Sequence, residues 1–175
     1  MKTIDKYLAQ AMDCFPYDIE GTIESLDYAL SYNDKSTMAL CLYGRLMADQ
    51  FQKYEEAKSY FSQALAADIH AWEVYPHYAN VLIRNEDFEE AEKLIDFALT
   101  IKGADKFEMH LAKAHLFERQ RKFDEAEKAV KEAKLHVVED WQESNLESLV
   151  KRIKMKRDSL AGKKSAKKKS KKKAK

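Results

Sequence analysis

The sequence predicts an all-α fold, and three observations predict it. Only four Gly and two Pro occur among 175 residues, too few for a sandwich or barrel that turns every 8–12 residues or so. Apolar residues recur at helical spacing. The chain also repeats itself at an offset of 34 residues, the mark of stacked repeats. With 45% hydrophobic residues, the length suits one compact domain or a short repeat array with its own core.

The repeat is explicit. KYEEAKSYFSQAL (Lys53 to Leu65) aligns with DFEEAEKLIDFAL (Asp87 to Leu99), placing Tyr54 on Phe88, Ala57 on Ala91, Phe61 on Ile95, Ala64 on Ala98 and Leu65 on Leu99. KFDEAEKAVKEAK (Lys122 to Lys134) follows 35 residues further on, with Phe123, Ala126, Val130 and Ala133 in the same places. DIEGTIESLDYAL (Asp18 to Leu30) is a weaker copy using Ile19, Thr22, Leu26, Ala29 and Leu30. Each copy marks one stripe of an α-helix. Its small residues let another helix approach closely while the large ones fill the flanks.

A second amphipathic segment precedes each copy. Leu40, Tyr43, Gly44 and Met47 precede one, and Tyr75, Tyr78, Ala79 and Leu82 the next. Gly44 within a helix costs about 1 kcal/mol relative to Ala, so the site marks a close crossing. Short polar connections at Gln52-Lys53, Glu86-Asp87 and Arg121-Lys122 join antiparallel neighbours.

These residues resemble the tetratricopeptide repeat (TPR) family. The resemblance covers about residues 3–136 and implies a TPR-like α-solenoid of about four helix-turn-helix repeats, at about 3–34, 37–69, 71–103 and 105–136. Thr22 stands where the other copies have Ala, the family's Pro after the second helix is replaced around Ile69 and Gly103, and the second repeat's turn is about one residue long. Beyond the array, Trp141, Leu149, Val150 and Ile153 form an apolar stripe, and Ser144 and Glu147 have capping-box spacing. They predict a C-terminal capping helix within 137–161. Residues 162–175, GKKSAKKKSKKKAK, are expected to be a disordered Lys-rich tail.

No catalytic, metal or cofactor site is predicted. The glycines are scattered, and HExxH, GxSxG and metal-spaced Cys/His clusters are absent. His110 and His115 lie five apart on one helix and read as structural. Cys14 and Cys41 suit buried thiols in a reducing compartment. With no signal peptide or apolar span expected, the predicted location is cytoplasmic, or nuclear in a eukaryote.

The resemblance implies a non-enzymatic scaffold or chaperone-like adaptor, binding a peptide segment in a groove lined by the first helix of each pair. Helical geometry places Met38, Arg45 and Asp49 opposite one core stripe, then Glu73, Asn80 and Arg84 opposite the next. In the last repeat Phe107, Leu111, Ala114 and Phe117 form the core stripe, and Met109, Leu116 and Arg119 face away. The Lys/Asn/Asn/Lys/Arg set with which one TPR subtype grips a chaperone's terminal carboxylate is missing.

Charge supplies the alternative. Residues 163–175 hold nine of the 31 basic residues and none of the 30 acidic ones, leaving −8 on residues 1–162. Lys163, Lys164, Lys167, Lys168, Lys169, Lys171, Lys172, Lys173 and Lys175, led by Arg152, Lys154, Lys156 and Arg157, are candidates for binding RNA, DNA or another anionic surface. A nucleic-acid- or ribosome-associated protein anchored by this end is the competing reading.

Overall fold

The computed structural model describes the backbone of residues 5–173 and the side chains of residues 5–160. Among the described residues there are nine α-helices and no strand. They divide into two compact units, with the division along the chain between Ala104 and Asp105.

The first unit contains three consecutive hairpins. Helix α1 (Lys6–Cys14) pairs with α2 (Ile19–Tyr32), α3 (Thr37–Asp49) with α4 (Tyr54–Ala67), and α5 (Val74–Arg84) with α6 (Phe88–Ala98). The first helices also touch in succession, α1 against α3 and α3 against α5, while α2 meets α3 and α4 meets α5. Asp18 and Ser36 cap their helices by accepting from the amides of Gly21 (2.9 Å) and Ala39 (3.4 Å). Helices α4 and α6 have no side-chain cap. Glu55 and Glu56, then Glu89 and Glu90, instead occupy their first turns, where the helix dipole favours negative charge.

Every small position of the repeated stripe is buried: Thr22, Ala29, Ala57, Ala64, Ala91 and Ala98 here, and Ala126 and Ala133 in the second unit. Thr22 fits an Ala site because its hydroxyl donates back to the Asp18 carbonyl at 2.6 Å. Two tyrosines use both their ring and their hydroxyl. Tyr43 stacks on Tyr60 and donates to Asp27, and Tyr78 stacks on Phe61 and donates to Glu90. Each thereby ties a first helix both to its own hairpin partner and to the second helix of the preceding hairpin, Tyr43 to α4 and α2 and Tyr78 to α6 and α4.

The turns between α3 and α4, between α5 and α6, and within the helix pair that follows repeat in their backbone although their residues differ. Gln52, Glu86 and Arg121 all take the left-handed conformation, with φ of 55°, 66° and 61°. The next amide then returns to a carbonyl in the preceding helix, Lys53 to Met47, Asp87 to Leu82 and Lys122 to Phe117, each at 2.9 Å. This closes the helix end as a Schellman-type cap. The first of these bonds spans one residue more than the others, matching the longer turn read from the sequence.

Helices α7 (Lys106–Arg119), α8 (Phe123–Lys134) and α9 (Asp140–Lys173) form the second unit. Leu146, Leu149 and Ile153 of α9 are buried in one cluster with Phe107, Leu111 and Phe117 of α7 and Ala126 and Val130 of α8. This differs from the expected stripe, since Trp141 and Val150 are exposed and Leu146 takes the buried place. Trp141 meets Phe107 edge-on and donates its indole N–H to Glu139. The start of α9 differs too. Ser144 and Glu147 lie inside the helix, and the side-chain oxygen of Gln142 accepts from the amides of Val138 (2.7 Å) and Glu139 (3.1 Å). A third-position Gln reaching back in this way is half of a capping box.

Helix α9 continues to Lys173, where the sequence reading expected disorder from residue 162. Lys and Ala are good helix formers, and only Gly162 interrupts the run. Residues 174–175 of the expected tail lie outside the described residues.

Glu118 on α7 is only 4% exposed, yet it is ionised. It accepts from Arg152 at 2.7 and 2.8 Å and from Lys156 at 2.8 Å. Burial pushes its carboxyl up, but these hydrogen bonds outweigh that and hold it at about 2. Arg157 pairs with Asp124 (2.8 Å) and Glu127 (3.0 Å) of α8. Three of the four cations that introduce the Lys-rich end therefore dock α9.

Two outcomes follow from this packing. A Cβ on Gly44 would lie 2.9 Å from the fully buried Phe61 ring. Gly44→Ala, favoured by helix propensity by about 1 kcal/mol, should still lower stability by about 1–2 kcal/mol through overpacking, seen as a lower denaturation midpoint. Glu118→Gln should destabilise the α7–α9 unit by about 2 kcal/mol, as expected for lost charge-assisted hydrogen bonds. Because the folded carboxyl is depressed from its ordinary 4.5, the wild-type contribution is complete above that pH and fades as pH falls toward about 2. The mutant's deficit should shrink over the same range in denaturant titrations.

Candidate functional site

The first helices of the first unit present one polar stripe beside their core stripe. On α3 it runs through Met38, Cys41, Arg45 and Asp49, and on α5 through Glu73, His77, Asn80 and Arg84. The core stripe faces the second helices, so these positions turn toward the side where α1, α3 and α5 meet.

Their environments differ sharply. Arg45 is half-buried, with its guanidinium 4.9 Å from the centre of the Phe15 ring, which sits in the α1–α2 turn. Cys41 is buried beside it, and burial pushes its thiol up to about 12. The charges of Arg45 and Asp49 both act on His77. Burial, aided by Arg45, lowers its pKa to about 4, so it is a neutral imidazole at pH 7. Asp49 accepts from Arg84 at 2.6 Å. Arg84 also donates to the Ala48 carbonyl (3.2 Å) and the Tyr54 hydroxyl (3.3 Å) and stacks over the Tyr54 ring.

Arg84 thus spends its charge joining the second and third hairpins. Asn80 and Met38 are exposed, Glu73 is half-buried, and Asp49 reaches the surface while paired to Arg84. Met38 also lines a cavity of about 320 Å³ with Asp5, Leu8, Asn33, Lys35 and Asp68. A face of this kind offers a stacked guanidinium, a neutral imidazole, an amide and a thioether to hydrogen bonding and apolar contact.

In the second unit, two groove candidates are corrected. Met109 and Leu116 are 1% and 0% exposed and offer no surface to a partner. Helix α7 is apolar on more than one side, and the structure buries both sides. Arg119 is exposed. The nine lysines of 163–175 have side chains outside the described residues.

Helical-wheel arithmetic named Glu73, Asn80 and Arg84 but passed over His77, which lies four residues after the first and three before the second. That spacing was the available signal. Phe15 gave none, because it reaches the stripe from a turn. A second network was also missed. Lys58 of α4 donates to Asp87 (2.8 Å) and Glu55 (3.2 Å), and Asn85 donates to the same two carboxylates (2.7 and 2.9 Å). These hydrogen bonds, Asp87 first, raise the Lys58 pKa, while Lys58 lowers that of Asp87. The pairing holds adjacent hairpins together and keeps Asp87 ionised.

Elsewhere, His110 stacks on His136 at 5.7 Å, and His115 lies 3.1 Å from Arg152. No group of three or more His, Cys, Asp or Glu is placed to hold a metal ion among the described residues. Both cysteines are free thiols. No described helix is long and apolar enough to cross a membrane.

The state of His77 gives a direct expectation. Its NMR titration should centre near 4, against the ordinary 6.5. The unfolded chain binds this proton first as pH falls, so His77 should cost stability between about 6.5 and about 4. His77→Gln should flatten that part of the stability–pH curve.

Comparison with known families places these hairpins. The sequence profile described as tetratricopeptide repeat matches residues 50–116. No curated protein sequence matches the chain.

Proposed function

We propose that the chain, whose residues 50–116 match the tetratricopeptide repeat profile, is a non-enzymatic scaffold or adaptor whose first-helix face binds a protein segment. Tetratricopeptide repeats mediate protein–protein interaction. One observation carries the reading to this face. Where α1, α3 and α5 meet side by side, Met38 and Asn80 are exposed on the same face as a half-buried Arg45 held over the Phe15 ring. Such a surface combines a pre-positioned donor, an amide able to bond an extended backbone and an adaptable apolar side chain.

Catalysis receives no comparable support. Three of the titratable groups on the face are a neutral histidine, a thiol raised to about 12 and a carboxylate committed to Arg84. None of these three is poised as a base or nucleophile near neutral pH. The two free thiols accord with a reducing, cytoplasmic setting.

The test needs variants that leave the hairpins standing. Arg84 is unsuitable, because it links them. Arg45→Ala/Asn80→Ala should weaken partner binding at least about tenfold, or about 1.4 kcal/mol, in quantitative pull-downs. Gln63→Ala, exposed on α4, should leave recovery unchanged. Equal recovery with all three proteins would remove the first-helix face from consideration.

A further inference from the structure

The ion cluster that docks α9 contains a group able to change its charge. His115, a half-buried imidazole on α7, lies against the same arginine that grips Glu118. Arg152 gives its Nε–H to Oε1 of Glu118 at 2.7 Å and an Nη2–H to Oε2 at 2.8 Å, and Lys156 donates to Oε1 at 2.8 Å. The same Nη2 lies 3.1 Å from Nδ1 of His115. A guanidinium has donors and no acceptor, so Nδ1 takes this bond with its lone pair, and the ring proton sits on Nε2. The bond therefore exists only while the imidazole is neutral.

We propose that His115 makes the α7–α9 contact an acid-labile latch, in which a proton taken up at Nδ1 breaks the bond from Arg152 and loosens the docking of α9. That proton occupies the lone pair and sets N–H against N–H. It also adds a third positive charge beside Arg152 and Lys156, with the single carboxylate of Glu118 to balance them. The imidazolium can turn to Oε2 of Glu118, 3.7 Å away, only by competing with Arg152 for an oxygen already in use. On α8, Asp124 and Glu127 are paired with Arg157. Burial first, then Arg152, lowers the His115 pKa from its ordinary 6.5, whereas Glu118 stays ionised down to about 2. The undocked imidazole thus binds its proton more readily than the docked one. Docking contributes in full above 6.5 and weakens as pH falls from there through the lowered value. Release parts Leu146, Leu149 and Ile153 from Phe107, Leu111 and Phe117 and uncovers the apolar face of α7 and α8.

The latch does not depend on the groove reading, and its test is separate. Trp141 of α9 meets Phe107 of α7, so its fluorescence reports the contact once the other tryptophan is replaced by Trp72→Phe. Urea titrations of the full chain compare His115 with His115→Gln, which keeps an acceptor for Arg152 and cannot titrate. Between about pH 7.5 and about pH 5 the folding constant of the α7–α9 unit should fall at least about threefold more with His115 than with Gln. At about pH 7.5 the two chains should agree within about twofold. His77 and the stacked His110 and His136 are present in both chains, so their titrations cancel in the comparison. In nitrogen-15 NMR spectra, Nδ1 of His115 should carry no proton at neutral pH, and the Arg152 Nε–H signal should weaken as the ring titrates. Arg152→Gln should move the His115 titration upward. Equal pH dependence in the two chains, or a proton on Nδ1 at neutral pH, overturns the latch without any arginine variant. An unmoved His115 titration in folded Arg152→Gln overturns it as well.

Discussion

Close approach of paired helices is the constraint on which the rest of the structure depends. Buried small residues at two places on each second helix (Thr22 and Ala29 on α2, Ala on the others), with Gly44 meeting Phe61 in the second hairpin, leave little room for a larger side chain at the contact. This contact sets where each first helix stands. Tyr43 and Tyr78 then reach a second helix with the ring and a carboxylate with the hydroxyl. Only with that spacing do α1, α3 and α5 lie near enough to share one face.

Charge works on top of this packing. Lys58, Asn85, Asp87 and Glu55 form one junction between hairpins, and Arg84, Asp49 and Tyr54 form another. In the second unit, buried Glu118 gathers two cations of α9. A charge desolvated and hydrogen-bonded in this way is costly to leave unpaired. These groups are therefore committed to the fold, and partners meet what is left over. On the first-helix face that leaves Met38, Asn80 and the stacked Arg45.

Legibility in the sequence followed the physics of each feature. The small positions and helix pairs were readable because close contact permits few residue types, and each of the eight small positions is buried. The turns were located by their polar residues, but their left-handed backbone was hidden, because Gln52, Glu86 and Arg121 occupy a conformation usually marked by Gly. Met109 and Leu116 were misread because one helical wheel cannot tell an apolar groove from a second buried side. Gln142, which holds the start of α9, was overlooked beside the more familiar Ser144 and Glu147 pattern.

The sequence by itself determined the helical period, the 34-residue register and the division of charge between an acidic body and a basic end. Each is a property of order along the chain, fixed by about 100° of turn per residue and by residue type. Tertiary structure alone decided which polar groups remain available. Arg84 and Arg152 look like free cations in the sequence, and His77 like any other histidine. The groups that act on them, Asp49 on Arg84, Glu118 on Arg152, and Arg45 and Asp49 on His77, lie 28 to 35 residues away and arrive only when the helices pack.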